Sequence, residues 1–139
     1  MTGSPQKRSD LGPKDVARLE EQRAFVRSRL TDEALRERFQ SAQGKLEALR
    51  SILEGGFGPE NAWELQALGV VLGDAFVQEL GYRWIIVEDE YGRDPALAVP
   101  GKSVVLYPLT MISKRVQKGR AVDVLELFSW TAAEVQQLE

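Results

Sequence analysis

The chain has 139 residues, 43% hydrophobic and 28% charged, with a formal net charge of −3 and neither cysteine nor histidine. This length suits one domain whose folded form buries roughly two-thirds of its unfolded surface. Disulfides, thiol nucleophiles and Cys-based zinc sites are excluded, and the commonest general base and transition-metal ligand is missing.

Residues 1–60 carry 11 Lys/Arg against 10 Asp/Glu, and residues 61–139 carry 7 against 11. Neither half makes the basic field of a nucleic-acid binder. No apolar run approaches the ~18 residues of a membrane span. Polar Met1–Asp10 lacks the apolar core of a signal peptide, so a cytoplasmic location is expected.

Residues 1–13 read as a flexible tail, with too little apolar surface to offset the entropy of ordering. Lys14–Leu30 reads as a helix whose stripe is Val16, Leu19, Val26 and Leu30, interrupted by Arg23. Thr31-Asp32-Glu33 is a helix start with Thr31 able to cap. Leu35, Phe39, Ala42, Leu46, Leu49 and Leu53 continue the 3/4 spacing to Glu54 across Gly44. One long helix and two helices broken near Gly44 both fit this pattern. With the first helix, this stretch predicts a helical hairpin over residues 14–54.

Gly55–Pro59 is a stop, and Asn61 can cap the next helix. Ala62–Leu80 is apolar around most of its circumference and should be buried on more than one side. Its Gly69 and Gly73 should let another element approach closely. Tyr82–Glu90 reads as a central strand, Tyr91–Pro95 as a turn, Ala96–Val99 and Ser103–Tyr107 as two more strands. Pro108–Lys118 is a helix. Asp123 caps a last stretch, with a break expected near Trp130 because Thr131–Glu134 has capping-box spacing. The sum is an α+β fold: a three-stranded antiparallel sheet packed by a Gly-notched central helix, an N-terminal helical hairpin and C-terminal helices. Residues 14–139 form one domain, with 62–139 as its core unit.

Few residues suggest chemistry. Glu88, Asp89, Glu90 and Asp94 could bind a divalent cation, but strand alternation turns Asp89 away from its neighbours. Gly55–Gly58 follows a helix and lacks the Gly-Lys-Ser/Thr of a phosphate loop. Lys114–Arg120 is a basic run that reads as a wet helix end. No serine or threonine has an activating partner. The six aromatics Trp63, Tyr82, Trp84, Tyr91, Tyr107 and Trp130 are the better lead, since Trp and Tyr are enriched at binding hot spots. Two of them are expected to be exposed, Tyr91 first.

The runs Leu68–Phe76, Leu80–Trp84, Asp89–Gly92 and Pro108–Arg115 resemble an uncharacterised bacterial family, domain of unknown function 3806, over about residues 62–128. The resemblance implies a fold unit and carries no catalytic residue. The leading expectation is a non-enzymatic protein-binding or accessory (immunity-like) module with Tyr82, Trp84, Glu88, Glu90, Tyr91, Arg93 and Asp94 as its surface. It has no catalytic residues, no cofactor and no metal. The alternatives are a carboxylate-dependent, metal-using hydrolase centred on Glu88, Asp89, Glu90 and Asp94, and a self-associating module that forms a homodimer through the N-terminal stripes.

Overall fold

The computed structural model describes residues 6–138. Strand β1 (Lys7–Ser9) precedes helices α1 (Pro13–Ser28), α2 (Glu33–Arg38), α3 (Ala42–Glu54) and α4 (Ala62–Leu80). Strands β2 (Arg83–Asp89), β3 (Gly92–Ala98) and β4 (Val105–Leu106) follow, then helices α5 (Pro108–Gln117) and α6 (Val124–Gln136).

Helix α4 is the spine. Its Leu65, Leu68, Val70, Val71, Leu72, Ala75 and Phe76 are wholly buried, as its all-round apolar sequence requires. Helices α1, α3 and α5 each pack on it. Phe76 stacks on Tyr82 at 5.7 Å and on Phe128 at 4.5 Å, joining α4 to the start of β2 and to α6. Gly69 admits the backbone of α5 at Pro108 and Leu109, and Gly73 admits the indole of Trp84. The close approach expected of the two glycines is made by different partners, one main chain and one aromatic side chain.

The sheet has four antiparallel strands in the order β1-β2-β3-β4, where three were expected. The added strand comes from the presumed tail, whose residues 1–5 lie outside those described. Lys7, Arg8 and Ser9 pair with Glu88, Val87 and Ile86. Three polar residues carry no hydrophobic period, so this strand exists through its ladder to β2 and the opposed charges of Lys7 and Glu88. Gly92–Pro95, expected as a turn, instead opens β3, and the turn is only Glu90-Tyr91. Pro95 is compatible with a strand here because β4 pairs only with Leu97 and Ala98, so its missing N–H deprives no neighbour.

The helical region also differs from expectation in part. Of the two readings of Glu33–Glu54 the structure has the two-helix one, with the break at Phe39–Ser41, just before Gly44. Ser41 Oγ accepts the Gly44 N–H at 2.9 Å and caps α3, while a side chain at Gly44 would collide with the Arg38 carbonyl. Asp32, not Thr31, caps α2 through the Ala34 and Leu35 amides. Asn61 spends its side chain on the Gly58 amide instead of capping α4. The N-terminal helices do not form a hairpin with each other, because α1 and α3 both spend their apolar stripes on α4. Asp123 caps α6 as expected, but α6 runs unbroken through Trp130 because Thr131 is buried within it.

Candidate functional site

The β2–β3 hairpin carries most of the expected surface residues. Its register pairs Glu88 with Arg93, Val87 with Asp94, and Asp89 with Gly92. Paired residues share a face, so Glu88 and Arg93 lie on one side of the sheet while Asp89 and Asp94 lie on the other. The four carboxylates of the hydrolase alternative therefore do not converge. Among the described residues, no group of three acidic side chains could hold a metal ion. That alternative loses its ligand set.

The tip is held firmly. Asp89 Oδ1 accepts the Tyr91 N–H at 2.8 Å, closing the turn. On the other face, Arg93 donates two hydrogen bonds to Asp15 at the start of α1, at 2.6 and 2.8 Å. The Arg93 guanidinium holds the Asp15 carboxyl down at about 2, with the Gly12 amide helping and partial burial opposing. Glu90 and Tyr91 occupy the turn between these anchors. Tyr91 is 89% exposed.

Beside the tip, along the side of β3 that β4 leaves unpaired, lies a cleft of about 360 Å³. Asp89, Tyr91 and Asp94 line its sheet wall. Arg18 of α1, Gln66 of α4, Leu109, Thr110 and Lys114 of α5, and Tyr107 just ahead of α5 line the rest, and Pro95 of β3 belongs to the sheet side. Burial, reinforced by the charges of Asp89 and Asp94, pushes the Tyr107 phenol above its ordinary pKa. Thr110 and Lys114 share a face of α5 by their i,i+4 spacing, but the sequence gives no sign that Arg18 of the distant α1 would meet them here. Lys114 belongs to the basic run read as a wet helix end; Arg120 of that run lines a different cleft, of about 680 Å³, beside Arg50 and Phe57.

Two expected surface residues are placed elsewhere. Tyr82 is buried against Phe76. Trp84 packs into the core, and its indole N–H reaches Asp74. Both lie at the base of β2, where the strand crosses α4. Glu88, Glu90, Tyr91, Arg93 and Asp94 are exposed. Four of the six aromatics are exposed, Trp63, Tyr91, Tyr107 and Trp130, where two were expected.

A four-stranded antiparallel sheet laid on a Gly-notched helix, with an acidic-aromatic hairpin, defines a small α+β unit. The chain belongs to the family described as domain of unknown function (DUF3806), which matches residues 45–128. No curated protein matches it. A crystal structure from Bacteroides thetaiotaomicron VPI-5482, determined at 1.50 Å resolution, is similar with a TM-score of 0.78 and 16% sequence identity. The likeness covers 96% of this chain and 49% of that one, so the chain spans about half the length of the structure it resembles. At that identity the likeness shows the fold alone. It extends over α1 and α2, which lie outside the family match, whereas most of α3 falls within it. No helix among the described residues is long and apolar enough to cross a membrane.

Proposed function

We propose that the chain is a non-enzymatic protein-binding module, an accessory unit that meets its partner through the β2–β3 tip. The observation that carries this reading is Tyr91. It is an almost fully exposed aromatic on a two-residue turn, fixed on one side by Asp89 and on the other by the Arg93–Asp15 pair. An exposed aromatic normally loses conformational freedom on binding, and a pinned backbone reduces that cost. Glu88, Glu90 and Asp94 give the surface around it an acidic character that suits a basic partner face.

At the tip, recognition runs through side chains and not through strand addition to β3. The open edge of β3 contains Pro95, which supplies no donor to an incoming strand. The homodimer alternative is less well supported. Leu19 and Val26 of α1 and Leu46 and Leu49 of α3 are buried within the chain, leaving Val16 as the exposed member of the α1 stripe.

The test is co-purification from native cells followed by reconstitution of the complex with the purified partner. The reading expects a stoichiometric complex that is lost on Tyr91→Ala combined with Glu90→Lys and kept on Trp130→Ala. A complex untouched by the paired tip changes would remove this surface.

A further inference from the structure

The charges lining the cleft beside β3 are segregated by wall. Asp89 and Asp94 stand on the hairpin side, and Arg18 and Lys114 on the helical side. Opposite charges lining one surface cleft can pair, yet none of the four enters an ion pair among the described residues, where the other pairs close at 2.6–3.3 Å. The cleft therefore holds its two signs apart. Asp94, Arg18, Lys114 and the Tyr107 hydroxyl also make no side-chain hydrogen bond among the described residues, and Asp89 uses only Oδ1, on the Tyr91 amide. Tyr91 and Tyr107 also line the cleft, the latter within the electrostatic reach of Asp89 and Asp94, and aromatic rings favour an organic cation over a bare metal ion. At about 360 Å³ the cleft falls within the range of small-ligand sites, which is roughly 300–1,000 Å³.

We infer that this cleft is a binding site for a small dipolar ligand, of amino-acid size, carrying an ammonium group at one end and a carboxylate at the other. The ammonium meets Asp89 and Asp94 between the two tyrosines. The carboxylate meets Lys114 and Arg18, with the Thr110 hydroxyl beside them. A ligand of single charge satisfies one wall and leaves the other unpaired, so the site selects for both charges at once. This goes beyond the protein-binding reading and needs no partner, so either can fail alone.

The test is a titration of the full chain, followed by amide chemical shifts in nuclear magnetic resonance. The probes are glycine, β-alanine, 4-aminobutyrate and 6-aminohexanoate, with n-butylamine and butyrate as single-charge controls. The series varies only the distance between charges. The inference expects saturable shifts at Tyr91, Asp94 and Thr110 for at least one member. That member should bind at least about tenfold more tightly than either control, a difference of one charge-assisted hydrogen bond. Lys114→Ala and Asp94→Asn, both at exposed positions, should each weaken it about tenfold while leaving the other shifts in place. Controls that bind as well as the dipolar probes, shifts that never saturate, or a titration unchanged by both substitutions would overturn it.

Discussion

The indole N–H of Trp84 donates to Asp74 Oδ1 at 3.0 Å, and the same carboxylate is gripped by Arg23 through Nε at 2.7 Å and a second guanidinium nitrogen at 2.9 Å. One acid of α4 thus ties α1 to the sheet. The apparent flaw in the α1 stripe, a charged residue at position 23, is the group that makes this tie. Both side chains are largely shielded, with 22% and 13% of their surface accessible. Removing the acid leaves a partly buried guanidinium and an indole N–H without their acceptor. Asp74→Ala is therefore expected to cost roughly 2–4 kcal/mol in chemical denaturation. Glu20, which pairs with Arg23 and Arg27 from an exposed position, should cost at most about 1 kcal/mol when changed to Ala. Equal losses for the two would contradict this hierarchy.

Replacing glycine by alanine inside a helix ordinarily stabilises it by about 1 kcal/mol. Helix α4 should invert that sign at two places. A methyl group at Gly69 would sit 2.7 Å from Leu109 Cα, and one at Gly73 would sit 2.6 Å from Trp84 Cη2 and nearer still to Cζ2. Neither neighbour yields easily, since one is main chain and the other is anchored by Asp74. Gly69→Ala and Gly73→Ala are each expected to destabilise by about 1–3 kcal/mol. Urea midpoints for the two variants check this, and a rise in either would show that α5 or Trp84 can move aside freely.

The Asp15–Arg93 pair makes stability depend on acid. The hydrogen bonds from Arg93 lower the Asp15 pKa from its ordinary 3.8 to about 2. A carboxyl lowered on folding contributes stability that is fully present above its unfolded value and fades as the pH falls through the folded one. The contribution should therefore be constant at pH 5 and above, and lost between about pH 4 and pH 2. Arg93→Ala should lower the melting temperature at neutral pH by an amount that shrinks towards zero at pH 2. A difference between wild type and variant that stays flat across this range would mean the pair does not form in solution.

The helices were legible because their signals are local. Gly81 with its left-handed backbone, Asp123 as a cap and Pro108 at the first turn of α5 each mark a boundary from within a few residues. The sheet was less so. Pro95 and Gly92 look like turn residues when read alone; the shortness of β4 makes Pro95 tolerable in a strand, and Gly92 closes the hairpin opposite Asp89 with a positive φ of 140°. Strand β1 has no pattern of its own, and its pairing to β2 spans most of the chain. The separation of Asp89 from Glu88 could be placed in advance by alternation alone, whereas Asp94, read in a turn, could not. The cations opposite them could not, because which faces of α1 and α5 turn towards β3 is set by how both helices seat on α4.

Gln22 lies on α1 between Leu19 and Val26, on the face turned to the core, and is wholly buried. Neither its amide nitrogen nor its amide oxygen has a hydrogen-bond partner among the described residues. A buried amide without partners costs free energy relative to an apolar group of the same shape, by roughly 1–3 kcal/mol. Methionine matches glutamine in length and carries no strong donor or acceptor, so it removes the penalty without opening a cavity. Gln22→Met is therefore expected to raise the unfolding midpoint, with a gain of about 1–2 kcal/mol once the imperfect fit of the thioether is allowed for. Gln22→Ala should instead lower it, since the lost volume leaves a void beside Leu19 and Val26. The two substitutions separate polarity from packing. If both lowered the midpoint, the amide would be making hydrogen bonds in solution that hold α1 in place.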